Sequence, residues 1–244
     1  MSEYKFLKIV RQGRRADITI DNPPINLITR ELFGELSQLS EELSADQELS
    51  VVVFKSSNPD FFIAHFDVEA ILAGSTAGEA QRSHKPNLFH VVCERMRTMD
   101  KVTIAQIEGR IGGGGSELAA SMDMRFGVRG KTIVNQMEVP IGILPGGTGT
   151  QRLPRLLGRG RAMELIMGGD DLDAETAERW GYLNRIFDSG KIQPFVDRLA
   201  SRISGFPVAS VRLAKEAIDG HEQPLSEGLI NESYLFQRLL RTES

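Results

Sequence analysis

The stretch Ile107-Glu108-Gly109-Arg110-Ile111-Gly112-Gly113-Gly114-Gly115-Ser116-Glu117-Leu118 constrains this chain more than any other. The apolar run Val102–Ile107 before it predicts a strand, and Ser116–Met122 after it predicts a helix. A glycine-rich strand-to-helix junction aims unpaired N–H groups and the positive helix end at one point. It also lets another backbone or a ligand come close. A triphosphate-binding loop has the spacing Gly109 to Gly114 and Ser116, but Gly115 stands where its lysine belongs. A dinucleotide-binding junction belongs to an early βαβ unit, and this one comes too late. Two readings stay open: donors that hold charge on a carbonyl oxygen with Glu117 nearby to move a proton, or tight strand–helix packing.

Glycine is otherwise concentrated in one further cluster. Of 24 glycines in 244 residues, many fall in Gly109–Gly115 or Gly142–Gly149, so they form no flexible linker. The second cluster follows another carboxylate, Glu138, and precedes a helix start at Gln151-Arg152-Leu153. Hydrophobic residues make up 41% and charged residues 25%, which excludes long disorder. A net charge of −4 does not suggest a broad nucleic-acid surface. Cys93 is the single cysteine, so no internal disulfide forms and a reducing, cytoplasmic setting is expected. The segment Met1–Val10 lacks the apolar core of a signal peptide, and no apolar run approaches the ~18 residues of a membrane span.

The first half alternates strand and helix patterns. Ala16–Ile20 alternates with period two and ends at a turn at Asn22-Pro23-Pro24. Leu32, Phe33, Leu36, Leu39 and Leu43 mark an amphipathic helix, Val51–Phe54 a buried strand, and Leu88, Val91, Val92, Met96 and Met99 a second helix. Met124–Val128 and Thr132–Asn135 read as short strands. Beyond Gly149 the pattern is helical over 151–157, 161–167, 174–180, 193–204, 208–219 and 225–240, interrupted by a strand at 183–187. The prediction is an α/β core over 1–190 and a helical C-terminal region over 191–244.

Four blocks carry a resemblance: Asn22-Pro23-Pro24-Ile25-Asn26, Phe62-Ile63-Ala64-His65-Phe66-Asp67, Ile111 to Asp123, and Gln136 to Leu153. In order and spacing they resemble the crotonase superfamily, the enoyl-CoA hydratase/isomerase family, from about Ala16 to Asp219. The resemblance implies a spiral of ββα units with a helical C-terminal part, assembled as a homotrimer or a dimer of trimers with 191–244 as the oligomerisation region. It implies an acyl-CoA substrate, no metal, and no cofactor beyond the CoA of the substrate. By position, it puts oxyanion-binding N–H groups on Phe66 and Gly114 and catalytic glutamates at Glu117 and Glu138. It has Ile25, Ala64, Phe66, Asp67, Val68 and Glu69 meet CoA. The activity implied first is hydration of a 2-enoyl-CoA to a 3-hydroxyacyl-CoA, Glu117 serving the water and Glu138 the α-carbon. Double-bond isomerisation with Glu138 as sole shuttle, decarboxylation or C–C cleavage of a CoA ester, and a non-enzymatic RNA-binding or scaffold homologue are the alternatives.

The chain departs from the family at His65, usually glycine, and at Phe66, usually alanine. The Phe66 ring is expected to reshape the acyl pocket. His65 is either an accessory proton carrier or a loop residue without a role. Family chains commonly continue past the segment that ends here at Ser244. His84 and His90, six apart, do not have the spacing of a helical metal pair. Cys93 reads as a buried small hydrophobe, Asp170-Asp171 as a helix cap, and Arg152, Arg155, Arg159 and Arg161 as a solvated face, a subunit contact or a phosphate site.

Overall fold

The computed structural model describes residues 3–72 and 83–241. Met1, Ser2 and Ser244, to which two of the readings above extend, lie outside them. Strand β1 (Leu7–Gln12) pairs antiparallel with β2 (Arg15–Ile20). Helix α1 (Arg30–Ala45) starts at Thr29, whose side chain accepts from Leu32 N at 3.2 Å, and it buries Leu32, Leu36, Leu39 and Leu43. The chain then repeats one unit. Strands β3 (Val51–Ser56) and β4 (Phe61–Ile63) precede α2 (Val68–Leu72) and α3 (Leu88–Thr98). Strands β5 (Val102–Ile107) and β6 (Arg110–Gly112) precede α4 (Gly113–Ala120). Strands β7 (Met124–Val128) and β8 (Ile133–Asn135) precede α5 (Gly149–Leu157) and α6 (Arg159–Gly168). The remainder is β9 (Leu172–Asp173), α7 (Ala174–Trp180), β10 (Arg185–Phe187), α8 (Ile192–Gly205), α9 (Val208–Asp219) and α10 (Leu225–Leu239).

Each unit places its first strand in one sheet and its second in another. The larger sheet runs β1-β2-β3-β5-β7-β10 and the smaller β4-β6-β8-β9; beyond the β1/β2 and β8/β9 pairs, all pairings are parallel. The continuous run Val51–Phe54 is buried on both faces, as a central parallel strand requires. Val52 and Phe54 join the main core with α1 and α3, whereas Val51 and Val53 meet Ile192, Val196 and Ala200 of α8 on the opposite face. Lys215 of α9 is buried and donates to Asp123 at 2.7 Å and to the Lys101 carbonyl at 2.8 Å. Among the described residues, no helix is long and apolar enough to cross a membrane.

Three local readings change. Helix α4 begins at Gly113, inside the glycine run rather than after it. Close approach to β4 explains this: a Cβ on Gly115 would lie 2.6 Å from Ile63 Cγ2 and 2.9 Å from the Ile63 carbonyl oxygen. The cap of α7 is Asp173, which accepts from Thr176 N at 2.7 Å, and not Asp170 or Asp171. A cap must immediately precede the first helical residue to reach the N–H three places on; Asp171 instead pairs with Arg110. Strands β4, β6 and β9 are two or three residues long, too short to show a period.

Candidate active site

The site is built where α4 leaves the smaller sheet. Gly114 is the second residue of α4, in the first turn whose N–H groups have no partner within a helix. The other end of α4 is held by Arg125, fully buried, whose Nη1 donates to the carbonyls of Met122 at 2.6 Å and Ala119 at 3.2 Å. Burial depresses the basicity of this guanidinium. Ser116 and the buried Tyr182 hydroxyl lie 2.9 Å apart, and that hydroxyl donates to the Ser116 carbonyl at 3.0 Å; burial pushes the phenol up to about 12. The helix carrying Glu117 is therefore fixed at its middle and at its end.

Opposite Gly114 runs the loop after β4. Asn26, in the left-handed region at φ 52°, accepts from Asn22 N at 2.7 Å and donates to Ser56 Oγ at 2.7 Å and the Phe62 carbonyl at 3.1 Å. This knits the Asn-Pro-Pro-Ile-Asn turn to β4. The chain then forms a parallel bridge in which Ile28 N donates to the His65 carbonyl at 2.9 Å and Asp67 N to the Ile28 carbonyl at 3.0 Å. In that pattern the N–H and C=O of Phe66 itself point away from Ile28. The two chain segments approach closely: a Cβ on Gly114 would be 3.0 Å from Phe66 Cβ.

A cavity of about 680 Å³ opens over this junction. Glu117 and Glu138 both line it, with His65, Phe66, Gly113 and Gly114, and with an apolar wall of Met137, Ile141, Ile143 and Leu144. Glu117 is 3% exposed, and its Oε1 accepts from three backbone amides at the start of α5: Gly147 N at 2.9 Å, Thr148 N at 2.9 Å and Gly149 N at 2.7 Å. Gly147 must be glycine, since a Cβ there would strike the Phe89 ring and lie 2.6 Å from Glu117 Oε2. Glu138 is buried and its Oε2 has no hydrogen-bond partner. Burial, then the charge of Glu117, raise its carboxyl from 4.5 to about 7. One carboxylate is thus anchored by donors, and the other is poised to hold or release a proton near neutrality.

The remaining expected site residues divide. His65 and Val68 line the cavity. His65 Nδ1 lies 2.8 Å from the Phe66 carbonyl, so that nitrogen carries the hydrogen. Ala64 is buried with its N–H on the Ile25 carbonyl at 3.1 Å, Asp67 accepts from Glu69 N and Ala70 N at the start of α2, and Glu69 faces solvent. Arg152 pairs with Glu94 of α3. Cys93 is fully buried, and burial pushes its thiol up to about 12. Among the described residues, no group of three or more His, Cys, Asp and Glu side chains could hold a metal ion. Sequence reasoning missed Phe89, whose ring fills the gap between Gly114 and Gly147. It also missed that His90, weighed there only as a metal ligand, reaches this loop, its Nε2 lying 2.8 Å from the Gly146 carbonyl oxygen. Asn87 followed at N3 by His90 is a helix-start signal that could have pointed to it.

Comparison with known proteins accords with this geometry. The sequence profile of the enoyl-CoA hydratase/isomerase family matches residues 12–244. The short-chain-enoyl-CoA hydratase of Clostridium acetobutylicum is 30% identical over 244 residues, covering 99% of this chain and 92% of that protein. A probable enoyl-CoA hydratase of Rhizobium meliloti is 32% identical over 243 residues, 98% of this chain and 91% of that one. Among solved structures, DspI of Pseudomonas aeruginosa is similar with a TM-score of 0.90 at 31% identity, over 100% of this chain and 92% of that chain. An enoyl-CoA hydratase from Bacillus anthracis is similar with a TM-score of 0.89 at 26% identity, over 98% and 92%. The two interlocked sheets are the crotonase-like spiral that the four sequence blocks imply, and the chain belongs to the enoyl-CoA hydratase/isomerase family.

Proposed function

We propose that this protein hydrates a 2-enoyl-CoA to a 3-hydroxyacyl-CoA. One observation carries the reading: two carboxyls share a cavity, one held by three amides and the other raised to about 7. The thioester oxygen accepts from the N–H groups of Phe66 and Gly114, each donor being worth about 3 kcal/mol as enolate charge develops. Glu117 accepts a proton from water as the water oxygen bonds to the β-carbon. The double-bond electrons move toward the thioester oxygen and return to form the bond between the α-carbon and the proton of Glu138. The net change is one water added across the double bond, and proton transfer between the two carboxyls resets the site. Ile25, Ala64, Asp67, Val68 and Glu69 form the side from which CoA enters. His65, with Nδ1 committed to a carbonyl, keeps an acceptor at Nε2 for an accessory role.

The exposed apolar side chains of α10, Leu229, Ile230, Tyr234 and Phe236, support residues 191–244 as the oligomerisation region of a homotrimer or dimer of trimers. A cytoplasmic setting accords with the single buried cysteine. The test of function is loss of enoyl-thioester absorbance across short, long, branched and aromatic enoyl-CoA esters, with Glu117→Gln and Glu138→Gln alongside. Each variant is expected to lower kcat about 10²-fold or more. Near-normal hydration by both variants discards the assignment. A Glu117→Gln enzyme that still migrates double bonds at full rate identifies an isomerase.

A further inference from the structure

We infer that His90 is a positioning residue for Glu117, acting through the peptide bond between Gly146 and Gly147. His90 Nε2 lies 2.8 Å from the Gly146 carbonyl oxygen, which can only accept, so Nε2 carries the hydrogen. The nitrogen of that same peptide, Gly147 N, donates to Glu117 Oε1 at 2.9 Å. One rigid, planar unit therefore receives a hydrogen bond from the imidazole on one side and gives one to the carboxylate on the other. A hydrogen bond to the carbonyl polarises the peptide and strengthens its N–H as a donor, and it fixes the plane in which that donor points.

The imidazole is itself fixed. His90 N donates to Asn87 Oδ1 at 2.8 Å, and Asn87 N reaches His90 Nδ1 at 3.4 Å, so the start of α3 holds the ring with Nδ1 as acceptor and Nε2–H as donor. Nothing in this arrangement brings the imidazole to the reacting atoms; its influence passes through the backbone. The neighbouring Phe89 ring occupies the space beside Gly147, so α3 braces the loop with a hydrogen bond and a ring together. The peptide that carries Gly149 N is bonded from within α5 instead, its Thr148 carbonyl accepting from Gln151 N at 2.8 Å and Arg152 N at 2.9 Å, so among the described residues Gly147 is the donor whose peptide is held by the His90 ring of α3.

This inference rests on the reading of Glu117 as the group that serves the water. It is tested with His90→Phe, which fills the site without a donor, His90→Gln, whose amide can donate to the same carbonyl, and each combined with Glu117→Gln. All are measured in the intact protein, after thermal melting has shown which variants are folded at the assay temperature. Expected are a fall in kcat of roughly 10-fold or more for His90→Phe with KM within about 2-fold, and recovery of most of that loss in His90→Gln. In the Glu117→Gln background, His90→Phe is expected to have almost no further effect, because its route to the chemistry is gone. A folded His90→Phe with normal kcat overturns the inference, as does a His90→Phe loss that persists in full beside Glu117→Gln. Should Glu117→Gln alone leave hydration unchanged, the reading of Glu117 fails instead. If His90→Phe does not fold, the His90→Gln pair alone decides: kcat close to the parent's supports a donor role, and a 10-fold loss that persists beside Glu117→Gln overturns it.

Discussion

Replacing Glu138 by glutamine should make the protein more stable at alkaline pH while removing its activity. Glu138 is buried, Oε2 has no partner, and Glu117 adds a second negative charge to the same cavity. Both effects disfavour the ionised form and raise the carboxyl from 4.5 to about 7. The folded state therefore binds this proton more tightly than the unfolded chain. Its contribution to stability is fully present below about 4.5 and is lost as pH rises through about 7. A displacement of that size is worth ~3 kcal/mol at most, and water at the cavity mouth reduces it toward ~1 kcal/mol. Glu138→Gln has the same shape and no charge to bury. Urea unfolding of both proteins at pH 5, 6, 7 and 8, at one fixed protein concentration, should show the variant gaining ~1–3 kcal/mol on the wild type between pH 5 and pH 8. In the wild type, turnover that depends on the protonated carboxyl should fall as pH passes 7. A stability difference between the two proteins that stays constant from pH 5 to pH 8 would refute the reasoning.

Two further outcomes follow from the packing. Gly115→Ala places a Cβ against Ile63 and should cost about 1–3 kcal/mol in urea unfolding, whereas Gly34→Ala, in the open interior of α1, should gain about 0.5–1 kcal/mol; equal effects would contradict the close approach of α4 to β4. Cys93 should resist alkylation in the folded protein and react fully in denaturant, as read by intact mass, because burial keeps its thiol protonated and shielded.

What could be read from the sequence was what depends on composition and spacing within one segment. Val51–Phe54 announces a strand buried on two faces because no polar residue interrupts it. Leu32, Leu36, Leu39 and Leu43 mark the face of α1 with steps of three and four residues. Glu117 and Glu138 could be named because each sits beside a glycine cluster, and the two clusters repeat the family's order. The missed features depend on distance across the chain. The hydrogen bond from His90 to Gly146 joins residues 56 apart. The three donors on Glu117 come from residues 30 to 32 positions later. The Phe33, Phe66 and Phe89 rings meet from two helices, α1 and α3, and the loop after β4. The start of α4 inside the glycine run was hidden because isolated propensity counts against glycine in a helix, and only contact with Ile63 reverses the balance.

The anchoring of Glu117 gives that side chain a second employment. Strip away its carboxylate and three amides at the head of α5 lose their common acceptor at once. A descendant that abandoned thioester chemistry would still be under pressure to keep an oxygen there. Glu138, whose Oε2 satisfies nothing, has no comparable duty to the architecture. In such a lineage the second glutamate would erode first, and its presence is the better witness to a working enzyme.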